Sequence, residues 1–444
     1  MGIKIGIISD THLGAFLLEP ELNRDAFESF EEALKILVAN GADIIIHSGD
    51  FYDRIDPQPW VQDKATNILR STITGDNPDL KVIEGKVNFQ AEDIKIAVPL
   101  FLIHGTHDRP IGRPMPAPPF QHLIAAGYAN YIDIDSNNQF AFRQIVLQKD
   151  DIKISITGVG HRPEGYINKS LTEYGIPYRD DAINISCVHN AIEGIVPTSG
   201  EYLDLTLFSS IDYVIVGHAH QPRLDSNGVL ELCKLNSSRT KLLVPGATIA
   251  TGLYPQEQGI KYAHLLEIPS QDRPPKIKSF RLKNARQIFY HTIRVENLTA
   301  QEVRDEIERF LENLPIEKLE KKPLIRVNLT GKLKLGFSKR ELKLDEIASR
   351  YKDKVYNWQD MLLPIDLYSE EELKHLDELK GAMEIGTTLP TTLDHFCRKL
   401  QTLNFPAKYF KPEEIYHMLH DVKVPVARKR IEIKLNEVLG IEHN

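Results

Sequence analysis

The sequence predicts an α/β core, followed by a small α+β module and a helical C-terminal region. Three observations carry this. Five short apolar runs each end in a turn rich in Asp, His and Gly; a helical repeat separates the first two; and the composition changes near Pro269–Pro275. Runs of four to eight residues rich in Ile and Val read as strands buried on both faces, and strand–helix–strand order reads as α/β.

The first run, Ile3–Ile8, leads into Ser9-Asp10-Thr11-His12. A helix is expected from about Arg24 to Asn40, with Phe27, Phe30, Leu34, Leu37 and Val38 on one face and Gly41 as its stop. The remaining runs are Asp43–Ile46 into His47-Ser48-Gly49-Asp50, Leu100–Ile103 into His104-Gly105-Thr106-His107-Asp108, Ile183–Val188 into His189-Asn190, and Tyr213–Val216 into Gly217-His218-Ala219-His220. The stretch opened by Pro57, Pro59 and Trp60 shows no core pattern up to about Glu92, and reads as an insertion, a dimer surface or a lid. Past the composition change, Ile288–Val295 reads as a strand, and Thr299-Ala300-Gln301-Glu302 as a capping box opening a helix. Ile325, Val327 and Leu329 alternate with Arg326, Asn328 and Thr330, the pattern of a half-exposed strand. Beyond Asn357, helix starts are expected at Ser369-Glu370-Glu371 and Lys411-Pro412-Glu413-Glu414.

Composition narrows the class of protein. At 444 residues with 42% hydrophobic and 26% charged residues, the chain is that of an ordinary folded multidomain protein. Its 3 cysteines, Cys187, Cys233 and Cys397, are too scattered for a disulfide framework or a four-cysteine zinc site, and they fit a reducing cytoplasm. No apolar stretch is long enough to cross a membrane, and no secretory pattern precedes the first strand. The net charge of −8 hides an uneven distribution: residues 273–354 hold 21 Lys/Arg against 12 Asp/Glu. A basic module beside an acidic body can meet a polyanion locally, although a solvated charged surface has the same composition.

The polar turns carry the chemistry. In open α/β sheets the functional crevice lies outside the carboxyl ends of the strands, so Asp10, His12, Asp50, His107, Asp108, His189, His218 and His220 are expected to converge. One strand-end histidine is an ordinary core residue, and His47, His104 and His161 are read as structural. Five such turns in succession are not ordinary. Mixed carboxylate and imidazole donors suit manganese, iron or zinc rather than calcium. Two His/Asp sets sharing a carboxylate point to two ions and to phosphoester hydrolysis.

These turns resemble the motifs of the calcineurin-like metallophosphoesterase superfamily. More narrowly, they resemble the double-strand-break repair nucleases, the meiotic recombination nuclease type of eukaryotes and archaea and its bacterial SbcD counterpart. The narrower likeness rests on Ser9-Asp10-Thr11-His12-Leu13-Gly14, on His47-Ser48-Gly49-Asp50-Phe51-Tyr52-Asp53, on Gly217-His218-Ala219-His220 and on Val244-Pro245-Gly246. It implies a metallophosphoesterase β-sandwich flanked by helices over residues 1–270, an α+β capping and DNA-binding domain over 280–357, and a helical partner-binding segment over 358–444. By the same resemblance Asp10, His12 and His220 hold one ion, His189 and His218 hold the other, and Asp50 bridges them. His107 acts on the scissile phosphate, and Asp108 supports the histidines. The implied cofactors are two Mn2+ ions. The implied partners are DNA, contacted by the basic module with Arg326 as a candidate, a second copy of the chain, and a coiled-coil ABC ATPase of the SMC-like SbcC type.

One position departs from the pattern. The family has Asn before the catalytic His-Asp, its amide oxygen on the second ion, and this chain has Thr106. A water bridging from Thr106 would leave a weaker second site. The expected function is therefore a metal-dependent nuclease acting on DNA ends. The alternatives are a phosphoesterase for a nucleotide or other small phosphoester, and a DNA-end-binding relative with a weakened site.

Overall fold

The computed structural model describes residues 2–368, apart from residues 77, 88–94, 112–116, 135–140, 197, 199, 235–238 and 270–273. The helix starts expected at Ser369 and Lys411 lie outside the described residues, whereas Leu362–Tyr368, in the region expected to be helical from 358, forms a strand. Two sheets form the larger part of the chain. The first has the spatial order β13 (Lys276–Arg281), β12 (Tyr262–Ile268), β1 (Ile3–Ile8), β2 (Ile44–His47), β4 (Leu100–Leu102) and β5 (Ala129–Tyr131). The second runs β10 (Cys233–Lys234), β11 (Lys241–Leu243), β9 (Tyr213–Val216), β8 (Ile183–Val188), β7 (Ile152–Val159), β6 (Ile145–Lys149) and β3 (Lys81–Glu84). Strands β1, β2, β4 and β5 are parallel, as are β7, β8, β9 and β11, so within each sheet their carboxyl ends point one way.

Side-chain alternation explains how the second sheet is covered on both faces. Ile185, Cys187, Tyr213 and Ile215 join the core shared with Ile5, Ile7, Ile46 and Phe101 of the first sheet. Val188, Val214 and Val216 face the other way and pack with Ile167 and Leu171 of α4 (Glu164–Tyr174) and with Phe208. The period of two thus builds a sandwich with a helical outer layer. The first sheet is covered by α1 (Pro20–Ala39), which buries Phe27, Phe30, Leu34 and Leu37. It starts earlier than the apolar pattern suggests because Pro20 occupies its first turn, where a missing N–H costs nothing. It ends at Gly41, whose φ of +77° lets the chain turn back.

Residues 59–72 form a helix that the apolar pattern does not reveal, α2 (Pro59–Thr72), burying Val61, Ala65, Ile68 and Leu69. Trp60 lies 5.9 Å from the Phe27 ring of α1. A short α3 (Gln121–Ala125) precedes β5. The composition change at Pro269–Pro275 falls between β12 and β13. β13 pairs antiparallel with β12 from Tyr262↔Arg281 to Glu267↔Lys276, so residues 276–281 belong to the first sheet.

The third sheet, of order β14 (Ile288–Leu298), β15 (Leu324–Leu333) and β16 (Leu362–Tyr368), is accompanied by α5 (Ala300–Glu312) and α6 (Leu344–Ser349). The capping box is formed: Glu302 N–H donates to Thr299 Oγ1 at 3.2 Å, and Thr299 N–H donates to Glu302 Oε2 at 2.8 Å. By contacts the chain divides into two units, one of Met1–Ile293, Ile307–Asn328 and Leu344–Leu363, the other of Arg294–Glu306, Leu329–Lys343 and the described residues from Pro364. Within the first unit, buried Arg286 donates to Asp25 at 2.7 Å and to Glu21 at 2.6 Å, and Lys321 donates to Asp25 at 2.7 Å. Asn328 is buried and donates to the Tyr290 hydroxyl at 2.5 Å, so it is not part of an exposed polar strand face with Arg326 and Thr330.

Candidate metal centre

Each strand-end turn bends sharply as it leaves its sheet. Asp10, His12, Asp50 and His218 all have left-handed backbones, with φ of 48°, 43°, 52° and 71°. Such conformations are strained for residues with a Cβ and persist where the surroundings over-determine them. Gly49, at φ +106°, lies so close to His189 that a Cβ there would strike the imidazole ring. The turns interlock through backbone bonds: Asp10 N–H donates to the Gly49 carbonyl and His12 N–H to the Asp50 carbonyl, both at 3.0 Å.

Three clusters of possible ligand atoms result: Asp10/His12/His220, Asp50/His189/His218 and, sharing His12 with the first, His12/Asp53/His107. In the first, His12 Nε2 is 3.3 Å from His220 Nε2, which is 3.6 Å from Asp10 Oδ1. In the second, His189 Nε2 is 3.2 Å from Asp50 Oδ2. The same Asp50 oxygen is 3.8 Å from His12 Nε2 and stands between the first two clusters. Asp10 reaches toward both, its Oδ1 lying 4.0 Å from His189 Nε2. The ligand-capable side chains expected from the sequence thus converge, with Thr106 at the edge, its Oγ1 3.5 Å from His218 Nδ1.

The donor set fits divalent cations. His189 Nδ1 donates to the Ser48 carbonyl at 2.8 Å, while buried Nε2 has no hydrogen-bond partner. An imidazole nitrogen and two carboxylates facing one another inside a protein call for a cation, a proton on His189 or a metal ion in its place. The electrostatics agree. Burial disfavours the charged form of His189, yet Asp50 and Asp10 outweigh it and push its pKa up to about 9. Burial raises the Asp50 carboxyl, but His189 and His12 hold it well below the usual range. His218 goes the other way, down to about 3, through burial and the neighbouring His189.

His107 belongs to the third cluster, at the rim of the crevice, its ring centroid 4.7 Å from that of His12. It is 46% exposed, and its Nδ1 donates to the Asp53 carbonyl at 3.0 Å. Its backbone N–H donates to Asp50 Oδ1 at 2.7 Å, tying the turn to the shared carboxylate. Asp108 is fully buried, and its three hydrogen bonds come from the backbone N–H groups of Gly105, Phe51 and Tyr52 at 2.7, 2.9 and 3.1 Å. It shapes the turns rather than touching a histidine ring. Burial, with Asp50 nearby, pushes its pKa up to about 6. His47 is structural in its contacts: it bonds Thr11 Oγ1 at 3.0 Å, and burial lowers its pKa to about 3. His104 faces Tyr131 and Asp133, and His161 Nδ1 donates to the His189 carbonyl at 3.2 Å.

Two acidic residues were not singled out by the sequence reading. Asp53 Oδ1 lies 3.1 Å from His12 Nδ1 and 3.7 Å from His107 Nδ1. Its signal was present, since it closes the Gly49-Asp50-Phe51-Tyr52-Asp53 turn. Glu257 accepts from His220 Nδ1 at 2.6 Å, and nothing around it in the sequence marks it.

Residues 3–222 match the calcineurin-like phosphoesterase family. Among curated proteins, the chain is 26% identical over 357 residues to the double-strand break repair protein MRE11 of Encephalitozoon cuniculi, covering 79% of this chain and 57% of that one. It is 27% identical over 288 residues to mre-11 of Caenorhabditis elegans (60% and 39% covered), and 25% identical over 410 residues to MRE11 of Homo sapiens (81% and 54% covered). The chain therefore spans about half the length of the curated relatives it matches. Among the described residues no helix is long and apolar enough to cross a membrane. The interlocked strand-end turns and these likenesses agree: residues 3–222 form a calcineurin-like phosphoesterase domain, a metal-dependent hydrolytic fold, in a chain that resembles the double-strand break repair nucleases.

Proposed function

We propose that this chain hydrolyses phosphodiesters of DNA at or near duplex ends with two divalent ions, best supported by Mn2+. The observation that carries the reading is the meeting of two His/Asp clusters at Asp50. Asp10, His12 and His220 would hold one ion, His189 and His218 the other, with Asp50 between. Such a pair of ions lowers the pKa of the attacking water and clamps the charge of the phosphoryl group during in-line displacement. The protein supplies the rest. His107 Nδ1–H is committed to the Asp53 carbonyl, so Nε2 is the atom that stabilises charge on the phosphoryl group or protonates the leaving oxygen. Asp108 fixes the turn that presents it.

The DNA substrate is supported by the resemblance to the repair proteins and by the basic balance of residues 273–354. We place the DNA-contacting module at about 280–357 and a partner-binding segment after 358. In this reading the chain acts as a homodimer with a coiled-coil ABC ATPase. Thr106 favours a second reading, a DNA-end-binding protein of reduced activity, because its exposed hydroxyl replaces an amide ligand. An assay of the intact chain with added Mn2+, on duplex DNA and on a chromogenic phosphodiester, tests both. Cleavage of DNA supports the first reading. Cleavage of the chromogenic ester alone overturns DNA as substrate, and DNA binding without hydrolysis of either supports the second.

A further inference from the structure

The two clusters that meet at Asp50 differ in what stands behind their histidines. In the Asp10/His12/His220 cluster both rings are backed by carboxylates, Asp53 on His12 Nδ1 at 3.1 Å and Glu257 on His220 Nδ1 at 2.6 Å. In the Asp50/His189/His218 cluster the backing of His189 is neutral. His189 Nδ1 donates to the Ser48 carbonyl at 2.8 Å.

Glu257 is itself held on every side. Its Oε1 also accepts from the backbone N–H of Thr251 at 3.1 Å and from the Thr251 hydroxyl at 2.6 Å. Its Oε2 accepts from Lys261 Nζ at 3.1 Å, and the same ammonium donates to the His220 carbonyl at 3.1 Å. Glu257 and Lys261 are only 3% and 2% exposed. Charges buried this deeply are retained at an energetic cost, and both members of this pair bond His220, Glu257 its ring and Lys261 its carbonyl. The result is a ring with its Nδ1 committed and its Nε2 turned toward Asp10 and His12. A carboxylate on the far nitrogen of a metal-binding histidine fixes its tautomer and raises its basicity, and losing it typically weakens metal affinity about 10- to 100-fold.

The structure assigns Glu257, seated on Lys261, as the positioning residue for His220, and with Asp53 behind His12 it makes the Asp10/His12/His220 cluster the tighter of two metal sites. This rests on the proposed two-metal reading of the crevice. It also draws into the site a residue outside the 3–222 segment that matches the family.

Mn2+ titrations of the intact chain, read by calorimetry and by the electron paramagnetic resonance of free Mn2+, test it without any activity measurement. The wild type is expected to bind one ion tightly and one weakly. His218→Ala should keep the tight ion, and His220→Ala should lose it. Glu257→Gln should weaken the tight ion about 10- to 100-fold in the wild-type and His218→Ala backgrounds, with no further effect in His220→Ala. Asp53→Asn, at a side chain that is not buried, makes the same prediction through His12 and decides the matter if Glu257→Gln does not fold. Folded variants with unchanged tight binding, or with both ions weakened equally, overturn the inference while leaving the two-metal reading standing. A wild type that binds no ion overturns both.

Discussion

Asp50 and Asp133 are both buried carboxylates at the ends of strands, and they meet opposite fates. Asp133 accepts two bonds from the Arg162 guanidinium, at 2.9 and 2.7 Å, and further bonds from the Tyr131 hydroxyl at 2.9 Å and the Gly160 N–H at 2.7 Å. Burial works against its charge, but Arg162 and His104 keep it ionised and hold its pKa well below the usual range. Asp50 is answered chiefly by imidazoles, whose charge is conditional. A guanidinium is a permanent cation and closes its site. An imidazole can yield its proton and coordinate a metal instead, so that cluster stays open to chemistry. His104 makes the contrast local: it heads the turn carrying Thr106 and His107, yet it faces the closed cluster through Tyr131 at 2.7 Å.

The comparison breaks most visibly in stability. Asp133→Asn leaves Arg162 buried without its counter-charge and should cost about 3–5 kcal/mol in urea unfolding. Metal content should be unchanged. Because the Asp133 pKa is depressed on folding, its contribution is fully present above its unfolded value of about 3.9 and lost as pH falls further, so the variant should show a flatter acid limb. Asp50→Asn should do the reverse, with a small change in unfolding and loss of metal stoichiometry. Next in size, His107→Ala should lower turnover about 100- to 1000-fold while both ions remain, as checked by elemental analysis and single-turnover kinetics. Loss of metal in that variant would move His107 into the ligand set.

Thr106→Asn sharpens the comparison within the open site. The amide reaches where the hydroxyl does not, and the weaker ion should bind about tenfold more tightly, a difference of about 1.4 kcal/mol. Unchanged titrations would show that the turn has repacked around threonine. The smallest effect is expected in the basic stretch after Arg273. Lys332→Gln and Lys334→Gln, at exposed positions, should each reduce the logarithmic salt slope of duplex binding by about 0.9 if each neutralises one phosphate. A slope that does not change would remove those lysines from the DNA surface.

Much of this is legible in the sequence where one local rule suffices. The Ile-rich runs mark the strands, and the side chains after them mark the crevice, because parallel strands in one sheet present their ends together. Thr299 and Glu302 make the bonds their spacing implies. Helix α2 stays hidden because Pro57 and Pro59 read as breakers. Pro59 in fact fills the first turn, and Val61, Ala65, Ile68 and Leu69 supply a sparse apolar stripe. The prolines of Pro269–Pro275 likewise lie between two strands of one sheet, β12 and β13. Asn328 shows the limit of alternation, since a polar residue can be buried when a hydroxyl such as that of Tyr290 waits for it. Glu257 is illegible for a different reason. It meets His220 across 37 residues, through a fold that no local pattern encodes.

The pairing of β1 with β12 sets the order in which this molecule can be made. Ile3 lies opposite Ile268, so β1 leaves the ribosome some 265 residues before its partner in the sheet. At about 5–20 residues per second, that interval is on the order of 13–50 s of synthesis. During it one edge of the Ile3–Ile8 strand lacks its neighbour, and Asp10 and His12 are separated from His220. Contacts this distant in sequence also slow refolding. The nascent protein is therefore exposed to edge-to-edge association at β1 until Tyr262–Ile268 has emerged.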